Sequence, residues 1–142
     1  MSPFWHRAFR FQYWILARID PLVVAFWRRF GIGNTVEVSV ARRDGTGDRA
    51  RLLGLLRVGD RRYLGHPNGD VGWTRDLAAA GEASYRWPRA EPVRFHGVRL
   101  ADGPEREAAI RATWQHPFPG NVVYRLGRRH VRAVGVFFRV ET

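Results

Sequence analysis

Hydrophobic and polar positions begin to alternate at Thr35. Val36, Val38 and Val40 fall on one side, and Glu37 and Ser39 on the other, which is the period of a half-buried strand. The Gly- and Asp-rich stretch ARRDGTGDRAR turns the chain. Residues 51–58, RLLGLLRV, form a nearly continuous apolar run, as in a strand covered on both faces. Gly59-Asp60 then leads into a third strand from Arg61 to Gly65, giving an antiparallel meander. The pattern next predicts a helix from about Val71 to Ala80, capped by Asp70 and stopped at Gly81. Strands follow near Ala83–Trp87 and Val93–Leu100, separated by Pro88 to Pro92. A second helix opens at Asp102-Gly-Pro104-Glu105 and runs to about Gln115, where HPFPGN breaks it. Val131 to Val140 reads as the last strand. The expected class is mainly β within α+β: an antiparallel barrel of about six strands with two inserted helices.

Residues 1–33 follow a different pattern and are expected to form a helical extension to a domain spanning 34–142. Aromatic residues interleave with arginines through FWHRAFRFQYWILARIDPLVVAFWRRFG. Arginines interrupt every candidate apolar core, which excludes a signal peptide, and Arg18, Asp20 and Pro21 exclude a spanning helix. Two short helices are expected, one on each side of Pro21, with Pro21 in the first turn of the second and Asp20 as its cap. They would pack on the domain or on a partner subunit, as in a homodimer. Contact with a membrane surface is the alternative, because aromatics with arginine suit that interface.

Composition narrows the chemistry. The chain of 142 residues has no cysteine, so disulfides and thiolate metal sites are excluded. Its 24 basic residues are all arginine, and the net charge is +11. The arginines are dispersed and accompany no nucleic-acid motif, so no specific nucleic-acid partner is expected. An acidic small molecule suits that charge equally well. The five histidines show no metal-binding spacing, and no P-loop or nucleophile elbow is present, so no metal site is expected.

One corner concentrates candidate binding groups. Residues 63–88 place His66, Pro67, Asn68 and Gly69 in a turn between a strand and a helix that opens near Trp73. Unpaired amides at a helix start accept an anion, and an indole can wall a flat ring. Arg42, Arg43, Arg49 and Arg51 surround the first hairpin turn, where guanidinium forks suit phosphates and carboxylates. The plainer alternatives are a solvated hairpin for the arginines, turn packing for His66 and core packing for Trp73.

The order of these motifs resembles the deazaflavin-dependent nitroreductase family of actinobacteria. Ala41-Arg42-Arg43-Asp44-Gly45 stands at the family's Gly-Arg-Lys/Arg-Ser-Gly turn, and Pro67-Asn68-Gly69 at its Asn-Gly turn. Trp73 with Asp76-Leu77 matches its Trp and Asn-Leu helix, and Phe118 to Tyr124 with Val131 to Val140 its closing segments. The resemblance implies a split β-barrel and coenzyme F420 as cofactor, with FMN as the alternative. It further implies a reductase passing a hydride to a quinone, nitroaromatic or enone acceptor; the expected location is cytoplasmic, with membrane association through residues 1–33 as the alternative. Arg42, Arg43, Arg49 and Arg51 would bind the acidic tail, His66 to Gly69 and Trp73 the phosphate and ring, and Tyr124 the acceptor. Asp44 and Asp76 replace the usual Ser and Asn and add negative charge to the phosphate corner. These departures leave a second reading open, a non-catalytic ligand-binding or assembly module that keeps the barrel.

Overall fold

The computed structural model describes residues 3–18 and 20–142, with the side chains of residues 13–20 outside the description. Helices α1 (Pro3–Arg18) and α2 (Asp20–Phe30) come first. Pro21 sits in the first turn of α2 as expected; the Asp20 cap lies outside the described side chains. Strands β1 (Thr35–Ala41), β2 (Asp48–Gly54), β3 (Leu56–Val58) and β4 (Arg61–His66) follow, and then α3 (Gly72–Ala80). Next come β5 (Glu82–Arg86), β6 (Val93–Arg99) and α4 (Pro104–Arg111), which tightens into a 3-10 turn over Ala112–Gln115. The chain closes with α5 (Gly120–Leu126), α6 (Arg128–Val134) and β7 (Val136–Glu141).

All strand pairs are antiparallel, in one sheet of order β2-β1-β5-β6-β7-β4-β3. Its two edge strands are consecutive in sequence, separated only by Leu55. The apolar run 51–58 is therefore one kinked stretch that pairs with β1 through its first half and with β4 through its second. This connection forces the seven-stranded sheet to curl almost closed, and explains the expectation of about six strands: the kink divides one of them. The opening is left between the unpaired edge of β2 and the end of β4.

Two cores result. The concave side holds Val36, Val38, Val40, Leu53, Leu64, Trp73, Leu77, Phe95 and Phe138 under α3. On the convex side, Leu56, Tyr63 and Phe137 pack against Phe9 of α1, Ile110 of α4, Tyr124 of α5 and Val131 of α6. Phe137 and Phe138 thus serve opposite faces, as period-2 alternation requires. The N-terminal helices are packed on the sheet. Trp27 of α2 is fully buried and donates its indole N–H to Thr35 O at 2.9 Å, with the Arg86 guanidinium over its ring.

Three local expectations need correction. Residues 131–134 are helical and β7 starts only at Val136, because buried Arg106 donates to Gly135 O at 2.8 Å and Val131 O at 3.4 Å. That guanidinium caps the end of α6 from a distant part of the chain, where cations are favourable. The structure has six α-helices among the described residues, against two inserted ones and a helical extension; α5 and α6 are the additions. Asp70 does not cap α3: the Val71 N–H donates to Thr74 Oγ1 at 2.8 Å, and Asp70 instead accepts from Thr74 Oγ1 and pairs with Arg99. Gly81 stops α3 as expected, at φ 75° with its N–H donating to Leu77 O.

Candidate functional site

Along β2, Arg49, Arg51 and Leu53 stand in register with Val40, Val38 and Val36. Residues that pair across a ladder share a face, so these side chains lie on the concave side, beside the unpaired edge. Two glycines mark close approaches to this strand, one on each of its faces. At Gly72, the first residue of α3, a Cβ would strike the Arg49 guanidinium, so Arg49 lies across the first turn of that helix. At Gly54 a Cβ would strike the His116 imidazole. Arg51 stands between, close enough to His66 for its charge to oppose protonation there. From Arg49 to Gly54 the strand advances about 17 Å.

At the hairpin end of β2 lies an open hollow of about 350 Å³ lined by Arg42, Arg43, Asp44, Arg49 and Asp76. Asp76 is buried on α3 and accepts from Arg43 Nε at 2.8 Å and from the Arg43 backbone N–H at 3.2 Å. Arg49 Nε stands 3.4 Å from its other oxygen, an ion-pair distance without hydrogen-bond alignment. Burial alone would raise the Asp76 pKa; the Arg43 hydrogen bonds and the Arg49 charge outweigh it and hold the carboxyl below its usual range. Asp44 is turned onto Thr46, accepting from its hydroxyl and its N–H. Three guanidiniums therefore meet two carboxylates, and the corner keeps a net positive charge.

At the other end of β2, on the side where Tyr124 packs, lies a separate cleft of about 320 Å³. Leu52, Leu53 and Gly54 form its floor, Gln12 and Val23 of the N-terminal helices one side, and His116 to Gly120 with Tyr124 the other. His116 stacks on Tyr124 with centroids 4.7 Å apart and planes at 17°. Burial pulls the His116 pKa down to about 4, so the imidazole is neutral near pH 7. A flat, apolar surface with a few convergent polar atoms is what small-ligand sites offer, and 320 Å³ falls within their usual size.

The sequence-predicted residues divide between these places. Arg42, Arg43 and Arg49 line the polar hollow and Tyr124 the apolar cleft, while Arg51 stands on β2 between them and lines neither. The turn at His66, Pro67, Asn68 and Gly69 is held by other parts of the chain. Asn68 Oδ1 lies 2.7 Å from His130 Nε2, its amide donates to His6 O at 3.4 Å, and its N–H lies 3.2 Å from His66 Nδ1. His66 Nδ1 is also 3.1 Å from Gly69 O. Burial, chiefly, pulls His66 to about 4. Asn68 is thus committed to joining α1 and α6 to the turn. Trp73 is 2% exposed, in the concave core, with its ring near His66 and Phe138.

The cleft residues His116, Gly54 and Gln12 were not identified as site residues from the sequence. One signal existed: a lone glycine inside an apolar strand run marks a bulge or a close approach. His116 had only the Pro-flanked break after it. No group of three metal-ligating side chains is found among the described residues.

No protein-family model matches the sequence, and no curated protein matches it. Solved structures do match. The protein Atu2129 of unknown function from Agrobacterium tumefaciens is 8% identical with a TM-score of 0.58, over 78% of this chain and 49% of its own. The present chain thus spans about half of that protein's length. A putative 5-nitroimidazole antibiotic resistance protein from Bacteroides thetaiotaomicron is 11% identical, with a TM-score of 0.55, over 78% of its length and 88% of this chain. HutZ, the heme storage protein from Vibrio cholerae, is 10% identical, with a TM-score of 0.56, over 89% of its length and 87% of this chain. What these proteins share with this chain is the fold. Membership in the deazaflavin-dependent family, implied by the motif order, is not established by them.

Proposed function

We propose that the hollow and the cleft at the two ends of β2 act as one groove for an elongated anionic cofactor with a flat head, and that the protein is a reductase using coenzyme F420. The single observation that carries the reading is the arrangement of β2: Arg49 and Arg51 stand toward its hairpin end, and Leu52, Leu53 and Gly54 at its other end floor an apolar cleft. The ligand chemistry called for is a flat ring joined to an acidic tail, which is the chemistry of that coenzyme. FMN has a similar head and a shorter anionic arm, and is the alternative. Leu52, Leu53, Gly54 and the His116–Tyr124 stack would hold the head; Arg51, Arg49, Arg43 and Arg42 would hold phosphate and carboxylates.

When bound in reduced form, the cofactor supplies a hydride to a quinone, nitroaromatic or enone acceptor. The chain's own contribution is position and electrostatics. The Tyr124 side chain lines the cleft and would place its hydroxyl against an acceptor oxygen, and neutral His116 fixes the plane of that ring by stacking. The apolar walls exclude water. Asp76 tempers the tail-binding charge by occupying Arg43 and standing beside Arg49.

The test is fluorescence titration of the full chain with oxidised F420, with FMN in parallel, followed by turnover of the reduced coenzyme with quinone and nitro acceptors. Saturable binding at about −8 kcal/mol or tighter is expected, a Kd near or below about 1 μM. Tyr124→Phe is expected to keep the binding and lower turnover by about 10²-fold. Binding without turnover on any acceptor class would select the non-catalytic module, a reading that the ion-paired state of Arg43 favours. No binding of either cofactor by folded protein would overturn both.

A further inference from the structure

The helices that roof the cleft turn apolar residues outward. On α2, Leu22, Phe26 and Phe30 recur at i, i+4 and i+8 along one stripe, and each is more than half exposed. Phe4 on α1, Phe118 beside the cleft and Leu126 on α5 are also more than half exposed. A helix packed on a domain normally shows the reverse arrangement, with its outer face polar. These elements form one continuous layer. Trp5 and Phe9 of α1 lie over Gly127 at the end of α5, Gln12 meets Gly120, and Pro117 packs on Gly33 just beyond α2.

Charge is segregated onto the same layer. Residues 1–34 and 111–134 carry ten of the 24 arginines and only one of the 13 acidic residues, Asp20. The remaining acids lie on the strands and their turns, on α3 and at α4, where Asp70, Asp76, Glu37 and Glu105 are paired with arginines and Glu107 answers Arg132 of the layer itself. On the helical layer Arg7, Arg10, Arg28 and Arg29 are exposed beside the outward aromatics, with the Arg29 guanidinium 5.4 Å from the Phe30 ring centroid.

We propose that this helical layer docks on an anionic lipid surface, with the exposed aromatic and leucine side chains in the acyl boundary and the arginines at the headgroups. Charge complementarity selects that occupant. A second copy would bring arginine against arginine with almost no acids to answer them, and like charges facing one another are unfavourable. Exposed apolar stripes interleaved with guanidiniums are the composition of helices lying in a membrane interface. No described helix is long and apolar enough to cross a membrane, so the contact is peripheral. Docking this way turns the cleft, roofed by Gln12 and Val23, toward the lipid. The inference stands on exposure and charge, and is independent of which cofactor the groove holds.

Vesicle flotation of the full chain tests it, comparing phosphatidylcholine alone with phosphatidylcholine containing phosphatidylglycerol. Wild type is expected to float with the anionic vesicles and only weakly with the neutral ones, with binding reduced by added salt. Phe26→Ser with Phe30→Ser removes two exposed rings and is expected to lower partitioning about tenfold or more. Arg28→Gln with Arg29→Gln is expected to lower it about fivefold per charge. Circular dichroism and an unchanged thermal midpoint confirm the fold of each pair. Failure of wild type to float with anionic vesicles would overturn the proposal, as would undiminished flotation of either folded variant. A wild-type dimer in sedimentation that the Phe26→Ser, Phe30→Ser chain loses would assign the face to a second copy instead.

Discussion

The two ends of β2 are built from opposite materials. At the hairpin turn, guanidiniums and carboxylates crowd an open hollow and largely satisfy one another through Asp76 and Asp44. At the kink, five residues further along, the walls are leucine, proline and stacked aromatic rings, and the one titratable imidazole is neutral. Each end alone is incomplete as a binding site. The hollow has charge but no cover, and the cleft has cover but little charge. One strand, β2, runs from the one to the other, which is why a long ligand with unlike ends suits the protein better than a compact one.

The sharpest way to break this comparison is to ask whether the ring site lies instead where the sequence suggested, at Trp73. Trp73→Ala is expected to cost about 3–5 kcal/mol of stability, as for any large buried aromatic removed from a core. Chemical denaturation measures it. A loss well below 1 kcal/mol together with abolished cofactor binding would return the ring site to α3.

Acid separates the groove from the hollow. His66 and His116 both have folded-state pKa values near 4, below the usual 6.5, because burial disfavours their charged form. The unfolded chain therefore binds more protons between pH 6.5 and 4, and stability falls as pH falls through that window. The slope approaches about 1.4 kcal/mol per pH unit for each histidine, and the first unit below 6.5, where the unfolded imidazoles are only part protonated, costs about 2 kcal/mol if both are fully coupled to folding. Asp76 works in a different range. Its carboxyl is held below the usual 3.8, so its contribution is present above that value and is lost only as pH falls below it. Denaturation midpoints read from pH 7 to 3 are expected to fall in two stages. His116→Phe and His66→Phe, each measured separately, should flatten the upper one.

A smaller effect sharpens the polar end. Asp76→Asn removes a buried carboxylate from two partly exposed guanidiniums, and is expected to cost about 1–2 kcal/mol of stability. The same change leaves more positive charge for a ligand, and affinity for an anionic tail should rise at least about fivefold. Stability and affinity moving in opposite directions would identify the hollow as a restrained anion site. If both fall together, Asp76 and its arginines are scaffolding.

Much of this fold was legible because local pattern and tertiary structure agree. The alternation over Val36 to Val40, the glycine stop of α3 and the proline start of α4 each carry their own cause. The helices at 120–134 were not legible. HVRAVGVFFRV reads as one alternating strand, and only the distant Arg106 guanidinium, on carbonyls at Val131 and Gly135, decides that its first half is helical. The site was half legible for the same reason. The arginines of the first hairpin announce an anion corner by composition. His116 and Gly54 lie 62 residues apart in sequence and meet only because the kink at Leu55 carries β2 to the far edge of the sheet. No local rule brings them together.

The central claim is that one ligand spans both ends of β2. The most direct test is to titrate the protein with intact oxidised F420 and with its deazaflavin head lacking the phosphodiester and glutamates. The account predicts that the head alone binds with little dependence on salt. The intact coenzyme should bind at least about tenfold more tightly, an advantage that shrinks as salt rises and the tail's contacts with Arg49 and Arg51 are screened. Equal affinities at every salt concentration, or no binding of the isolated head, would contradict it.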